Sequence, residues 1–327
     1  MKAYMVDPYS FDHYDYYQEK AIFAREGIDL EFVECRSEED VIAKCADADA
    51  ILDVYVNIGA KTMDALKNLK VLVRYGVGYD VYDIAAATKR GIPVCNIPFY
   101  CIEEVAAHTT ALILAATRNL LNFTQNIRQG SYLLEGFPGN YTMRSPRAQV
   151  VGMVGFGNIP RRTAKNLKAI GYDIIAYDPF LPDSTFIENG AQRGSFEEVL
   201  AKADIISPNV PFNEETKHII NADAIAKMKD GVVIVNTGRG GLMDTDALID
   251  ALKSGKVAAA GLDVFEGDRL PEDCPLLSMN NVILSPHAAF KTEESFLELC
   301  RQTAETAVAV LKGEKVSNCV NKKDIWK

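Results

Sequence analysis

Short apolar runs of strand length alternate with helix-patterned stretches along nearly the whole chain, and this alternation constrains the fold more than any other feature. Residues 2–6, 29–33, 50–56, 71–74 and 92–97 are β-branched or apolar, and residues 37–46, 61–68 and 83–90 between them space Val, Ile, Leu and Ala at helical intervals. After a long helical stretch at about 102–121, the alternation restarts with strand-like runs at 150–154, 173–177, 204–208, 232–236, 258–264 and 282–285. Strands separated by helices must be joined by crossovers, so the pattern predicts an α/β protein with parallel sheets covered on both faces. Two doubly wound units are expected, the second running from about 102 to 290, with an irregular connection at 121–146 whose length suits a functional segment, a partner contact or a linker between lobes.

A length of 327 residues fits two domains, and 48% hydrophobic with 24% charged residues excludes disorder. Lys+Arg of 35 against Asp+Glu of 45 leaves a net charge of −10, which argues against nucleic acid or an anionic membrane as partner. No 18-residue apolar run exists; the greasiest stretch, 105–121, is interrupted by His108, Thr109, Thr110, Thr117, Arg118 and Asn119. The N-terminus carries Asp, Tyr and His where a secretion signal needs apolar residues, so a cytoplasmic protein is expected. Seven cysteines with no C-x-x-C pair suggest neither a disulfide framework nor a metal site.

Two glycine turns compete as a phosphate cradle: Gly76-Val77-Gly78 and Gly155-Phe156-Gly157-Asn158-Ile159, each after a strand and before a helix. A dinucleotide site also needs a carboxylate about 20 residues on, at the end of the next strand. Asp178 stands 21 residues after Gly157, whereas the strand after Gly78 ends in Asn96-Ile97-Pro98. The second turn is therefore read as the cofactor site. The Asp178 charge, with no compensating Arg at 179–180, selects NAD over NADP. Pro160 replaces the third glycine of the fingerprint; within a first helical turn it is tolerated, and a slightly displaced helix is expected.

Of the four histidines, His13 and His218 read as surface residues and His108 as a satisfied packing residue. His287 follows 282–286 at the C-terminal end of a buried strand, the edge where open α/β sheets bind ligands. Arg239 follows the strand 232–236 through Thr237 and Gly238, where its fork can grip a carboxylate. A third strand ends in Asp263, Glu266 and Asp268. An acid–base residue, a clamp and an orienting acid thus share one sheet edge.

These stretches, with Glu104-Val105-Ala106-Ala107-His108-Thr109, Asn236-Thr237-Gly238-Arg239-Gly240-Gly241, Gly261-Leu262-Asp263-Val264-Phe265-Glu266 and Ser285-Pro286-His287, resemble the NAD-dependent D-2-hydroxyacid dehydrogenase family over nearly the full length. The resemblance implies a Rossmann cofactor domain at 102–290, inserted in a flavodoxin-like substrate domain formed by 1–101 and 291–327. It implies reversible reduction of a 2-oxo acid, with His287 as proton donor and Arg239 binding the oxo and carboxylate groups. By the same resemblance, Gly76, Val77 and Gly78 grip the carboxylate, Asp263 accepts from the nicotinamide carboxamide, and Val210, Pro211 and Thr216 line the adenosine side. Gly155, Gly157, Asn158, Ile159, Asp178, Thr237 and Gly238 complete the expected cofactor contacts, and a homodimer through the cofactor domain is implied.

The family's catalytic Glu position is Asp268 here, one methylene shorter, with Glu266 two residues earlier as the competing partner of His287. A pH–rate limb near the unperturbed histidine value of about 6.5 is expected. Members that take phosphorylated substrates carry Arg after the third strand; this chain has Asp53-Val54-Tyr55-Val56 there. Tyr100 and Phe290 resemble the D-lactate dehydrogenase-like branch, and with Tyr55 and Tyr79 they suggest a small or apolar substrate: pyruvate, a branched-chain or an aromatic 2-oxo acid. The resemblance leaves two alternatives, a phosphoglycerate dehydrogenase and an NAD-binding module of the C-terminal-binding corepressor type.

Overall fold

In this computed structural model, which describes residues 1–10, 14–132, 143–267 and 269–326, the chain divides into two compact units, Met1–Cys101 with Thr292–Lys327, and Ile102–Lys291. The first holds β1 (Lys2–Met5), β2 (Asp29–Phe32), β3 (Ala50–Asp53), β4 (Val71–Arg74) and β5 (Val94–Cys95) in one parallel sheet ordered β2-β1-β3-β4-β5. Leu299, Cys300, Ala304 and Ala307 of the helix Glu293–Leu311 pack with Leu52, Val71 and Val73 to cover one face.

β3 and β5 fall furthest short of their apolar runs, for identifiable reasons. β3 stops at Asp53 because the buried Asp7 carboxylate takes the N–H groups of Val54 (2.9 Å) and Tyr55 (2.7 Å) out of the ladder. β5 keeps only Val94 and Cys95: Pro93 has no N–H to give, the Asn96 N–H goes to the Asn318 carbonyl of the C-terminal segment, and the Ile97 N–H goes to the Gly76 carbonyl.

The second unit holds β6 (Val150–Val154), β7 (Asp173–Tyr177), β8 (Gln192–Arg193), β9 (Ile205–Pro208), β10 (Val232–Asn236), β11 (Val257–Leu262) and β12 (Val282–Leu284), all parallel, ordered β12-β11-β10-β9-β6-β7-β8. The α/β class with two doubly wound parallel sheets is the fold expected from the alternation. Strand order reverses between β6 and β9, which creates a crevice at their C-terminal ends. Gly261 lets the helix Ile102–Thr117 approach β11; a Cβ there would lie 3.1 Å from that of Leu112.

The expected single helix to residue 121 is corrected. The helix ends at Thr117, Asn119 takes a left-handed conformation (φ 53°), and a second helix, Leu120–Arg128, fills the start of the stretch read as irregular. Its apolar residues Leu120, Phe123 and Ile127 fall at helical spacing, a signal overridden in the sequence by the surrounding Asn, Thr and Gln. Of the expected partner arm, residues 133–142 lie outside the described residues, as does His13. No helix among the described residues is long and apolar enough to cross a membrane.

Candidate active site

The crevice at the reversal is built around Gly155. Its φ of +93° suits glycine, and a Cβ there would fall 2.8 Å from the backbone of Asn209, just after β9. The β6 turn and the segment carrying Val210 and Pro211 therefore meet backbone to backbone. Around Gly157 the space is open, and the helix Asn158–Ile170 begins from it with no side-chain cap. Uncapped first-turn N–H groups beside two glycines, with the Phe156 side chain between them buried in the core, fit a pyrophosphate. Pro160 is buried in that first turn and leaves the helix intact. Asp178, after β7, ties the turn to the next strand: Oδ2 accepts from the Phe156 N–H and Oδ1 from the Phe180 N–H, both at 3.0 Å. The Thr216 hydroxyl donates to the Pro211 carbonyl (2.6 Å), Val210 packs on the unit's core, and Ile159 is half-buried beside the exposed Asn158.

Three adjacent strands, β10, β11 and β12, lead into the segments that carry Arg239, Asp263 and His287, one to three residues beyond the strand ends. Neighbouring strands lie about 4.8 Å apart, so the three segments emerge within a span of about 10 Å. After β10, the buried Asn236 side chain accepts from the Gly238 N–H (3.0 Å) and donates to the Arg239 carbonyl (2.8 Å), curling the loop. Gly240 is required there, because a Cβ would lie 1.9 Å from the Phe265 backbone. Arg239 Nη1 donates to the Gly238 carbonyl (3.0 Å).

Asp263 is fully buried and organises the His287 loop. Its Oδ1 accepts from the Ser285 hydroxyl (2.6 Å) and the Ala288 N–H (2.9 Å), and its Oδ2 from the Ala289 N–H (2.9 Å). The His287 N–H donates to the Asp263 carbonyl (2.7 Å), and His287 adopts a left-handed backbone (φ 53°) that costs a non-glycine residue about 1–2 kcal/mol. The Phe290 ring meets the imidazole edge-to-face, with centroids 6.3 Å apart.

Sequence reasoning missed the support behind these loops. His108 Nε2 bonds Ser285 Oγ (2.9 Å) and lies 3.5 Å from Asp263 Oδ1, while the neighbouring Thr109 hydroxyl bonds that of Thr237 (2.7 Å). One turn of the helix Ile102–Thr117 thus braces both the β12 and the β10 loops. The only advance sign was the histidine and threonine breaking an otherwise apolar helix. Glu266 is engaged elsewhere: it bonds His218 Nε2 (2.6 Å) and accepts from the Thr245 hydroxyl (3.2 Å). Asp268, the expected partner of His287, lies outside the described residues.

In the first unit, Gly76 (φ +141°) leaves room for the Arg74 guanidinium, which occupies the place a Cβ would take. The Gly76 carbonyl accepts from the Ile97 N–H (2.8 Å) and the Val77 carbonyl from Asn96 Nδ2 (2.6 Å). Tyr100 packs on this unit's core and Tyr55 is exposed.

The chain matches the family model "D-isomer specific 2-hydroxyacid dehydrogenase, NAD binding domain" over residues 110–289, more than half its length. It belongs to the D-isomer specific 2-hydroxyacid dehydrogenase family. Membership makes it an oxidoreductase with NAD as cofactor, in agreement with Asp178 and the β6 turn. It is 36% identical over 322 residues to a D-3-phosphoglycerate dehydrogenase of Archaeoglobus fulgidus, covering 98% of this chain and 59% of that protein, so the chain spans less than two thirds of that relative. It is 38% identical over 295 residues to a glyoxylate reductase of Thermofilum pendens, covering 88% of this chain and 85% of the relative. Among solved structures it is similar to the D-lactate dehydrogenase of Aquifex aeolicus complexed with NAD and lactic acid, with a TM-score of 0.84, 28% identity and 96% of both chains covered.

Proposed function

We propose that this 2-hydroxyacid dehydrogenase interconverts a small, unphosphorylated 2-oxo acid and its D-2-hydroxy acid, with His287 as general acid and base. The observation that carries the reading is the row of three adjacent strand ends presenting Arg239, Asp263 and His287, the last on a loop fixed by three hydrogen bonds to a buried carboxylate. When bound, the reduced nicotinamide supplies the hydride for the oxo carbon. His287 then delivers a proton to the oxo oxygen, and recovers it in the oxidative direction. Arg239 offers a planar pair of donors to the oxo and carboxylate oxygens. In the first unit, we assign Gly76, Val77 and Gly78 of the turn after β4 to carboxylate binding. With the Gly76 and Val77 carbonyls tied back, the planar peptides hold the N–H groups of Val77 and Gly78 facing the opposite way, and neither is hydrogen-bonded among the described residues. Asp268 remains the proposed partner of His287, and Asp263 the acceptor for the carboxamide.

The relatives favour phosphoglycerate oxidation as much as glyoxylate reduction. The first unit's sheet edge supports the unphosphorylated reading. β3 ends in the buried Asp53, the Asp7 carboxylate lies behind the following loop, and Arg74 is the cation acting on both. The guanidinium is thus already shared with buried acids, and the loop after β3, with Val54, Tyr55 and Val56, carries no arginine to meet a phosphate. Exposed Leu120, Ile127 and Tyr132 in the second unit support the proposed homodimer.

The test is NADH oxidation with pyruvate, 2-oxoisocaproate, phenylpyruvate, glyoxylate, hydroxypyruvate and 3-phosphohydroxypyruvate. Turnover of an unphosphorylated acid is expected, with His287→Gln lowering kcat by about 10²–10⁴ while NADH binding stays unchanged. Preference for 3-phosphohydroxypyruvate would replace the substrate reading. NADH binding without turnover of any acid would favour the corepressor-like module.

A further inference from the structure

The C-terminal segment adds an antiparallel partner to β5 in the first unit. The Val320 N–H donates to the Val94 carbonyl (2.7 Å) and the Asn96 N–H to the Asn318 carbonyl (3.3 Å), which sets Cys95 opposite Cys319. Asn321 fastens this pairing from the end: its Oδ1 accepts from the Val94 N–H and its Nδ2 donates to the Ile92 carbonyl, both at 3.0 Å. Asn318 makes the contact closest to the 76–78 loop. Besides its main-chain bond, its Nδ2 donates to the Asn96 carbonyl (2.7 Å) and to Thr306 Oγ1 (3.1 Å) on the helix Glu293–Leu311. Asn96 is therefore gripped at both its N–H and its carbonyl by one residue. Its own side chain is the donor that holds the Val77 carbonyl at 2.6 Å.

We propose that Asn318 is a positioning residue for the substrate carboxylate, acting through Asn96 on the peptide between Val77 and Gly78; the proposal rests on the reading of the 76–78 loop given above. A trans peptide is planar, so its C=O and N–H point in opposite directions. Fixing the Val77 carbonyl fixes the direction of the Gly78 N–H. The Gly76 carbonyl, held by the Ile97 N–H, fixes the Val77 N–H in the same way. Both tethers come from residues 96 and 97, whose placement depends on the tail 222 positions away from Asn96. When Asn318 lets go, Asn96 gains freedom, the 77–78 peptide can tilt, and the paired donors lose their common direction.

Three variants test this: Asn318→Ala, Asn318→Asp, which keeps the shape but removes the donor, and Asn96→Asp. The readouts are amide hydrogen exchange of the peptide covering 94–98, which carries the bonded Asn96 and Ile97 N–H groups, and kinetics with the oxo acid turned over fastest by the unaltered chain. Both Asn318 variants should speed exchange at 94–98 and raise KM for the oxo acid about three- to tenfold, the effect of one lost hydrogen bond. The kcat should stay within about twofold and the NADH dissociation constant should not change, a split that general destabilisation would not produce. Unchanged exchange in both Asn318 variants overturns the positioning role while leaving the loop's function standing. Faster exchange with KM unmoved, in Asn96→Asp as well, removes the loop from carboxylate binding and the inference with it.

Discussion

Two fully buried aspartates, one in each unit, stand where a parallel strand ends and are treated in opposite ways. Asp263, after β11, receives three donors shared over both oxygens, with His108 at 3.5 Å. Asp53, at the end of β3, accepts only from the Tyr82 phenol, and its Oδ2 has no hydrogen-bond partner among the described residues. Burial, and then the Asp7 carboxylate, push the Asp53 carboxyl well above the usual range, against smaller opposing effects of Tyr82 and Arg74. The difference shows what a strand-end carboxylate is for in each unit. Asp263 is an acceptor hub that shapes a loop; Asp53 sits where burial favours its protonated form, and among the described residues only the Tyr82 hydroxyl bonds its side chain.

The largest effect should follow from breaking the hub. Asp263→Asn keeps the shape but replaces one acceptor oxygen with a donor facing N–H and O–H groups. About 3–5 kcal/mol of stability should be lost from the second unit, as expected when one side of a buried charged network is removed. Activity should fall further than stability accounts for, because His287 reaches its left-handed backbone through the same loop. Calorimetry and kcat at a temperature where the variant is folded separate the two; unchanged kcat in folded Asp263→Asn would show that the loop holds without its carboxylate.

An intermediate effect of opposite sign should come from Asp53→Asn. The folded protein binds the Asp53 proton more tightly than the unfolded chain, whose pKa is about 3.9. Between those values the native state carries more protons, so stability falls as pH rises through the window. The stabilising contribution is complete below the unfolded value and is lost as pH passes the raised folded one. Asparagine has no proton to lose, so Asp53→Asn should gain about 1–3 kcal/mol at pH 8 and little near pH 4. Asp7, raised by burial first, titrates with the same sign and should leave part of the slope in place. Equal gains at both pH values would show that packing, not protonation, distinguishes the two aspartates.

The same contrast marks what was legible in the sequence. β4, β6, β7 and β10 are bounded where their apolar runs end, because each run is a buried parallel strand closed by a charged or turn residue. β3 and β5 are shorter than their runs because a carboxylate at Asp7 and the C-terminal tail claim their backbone groups from outside the local sequence. The two-residue β8 has no run at all and exists only by pairing with β7. At the site, Arg239, Asp263 and His287 could be read because each follows a recognisable strand. The bond of His108 to Ser285 joins residues 177 apart, and nothing in either neighbourhood announces it.

That bond leads to the smallest effect. The Ser285 hydroxyl has one hydrogen, and the 2.6 Å contact assigns it to Asp263, so in the 2.9 Å contact the serine oxygen accepts and His108 Nε2 carries the proton. Ser285→Ala removes one of three donors from Asp263 and takes the acceptor from His108. The imidazole already lies 3.5 Å from the same carboxylate oxygen, so a small ring movement replaces the lost donor. Ser285→Ala should therefore cost only about 1 kcal/mol, with kcat reduced a few-fold. His108→Phe alone should be similarly mild, since the serine keeps its bond to Asp263. The double variant leaves only the Ala288 and Ala289 N–H groups, and its loss should exceed the sum of the two singles by about 1 kcal/mol or more. Strict additivity in thermal melts would show that His108 and Ser285 do not substitute for one another, and that the two loop N–H groups are enough to hold the Asp263 hub.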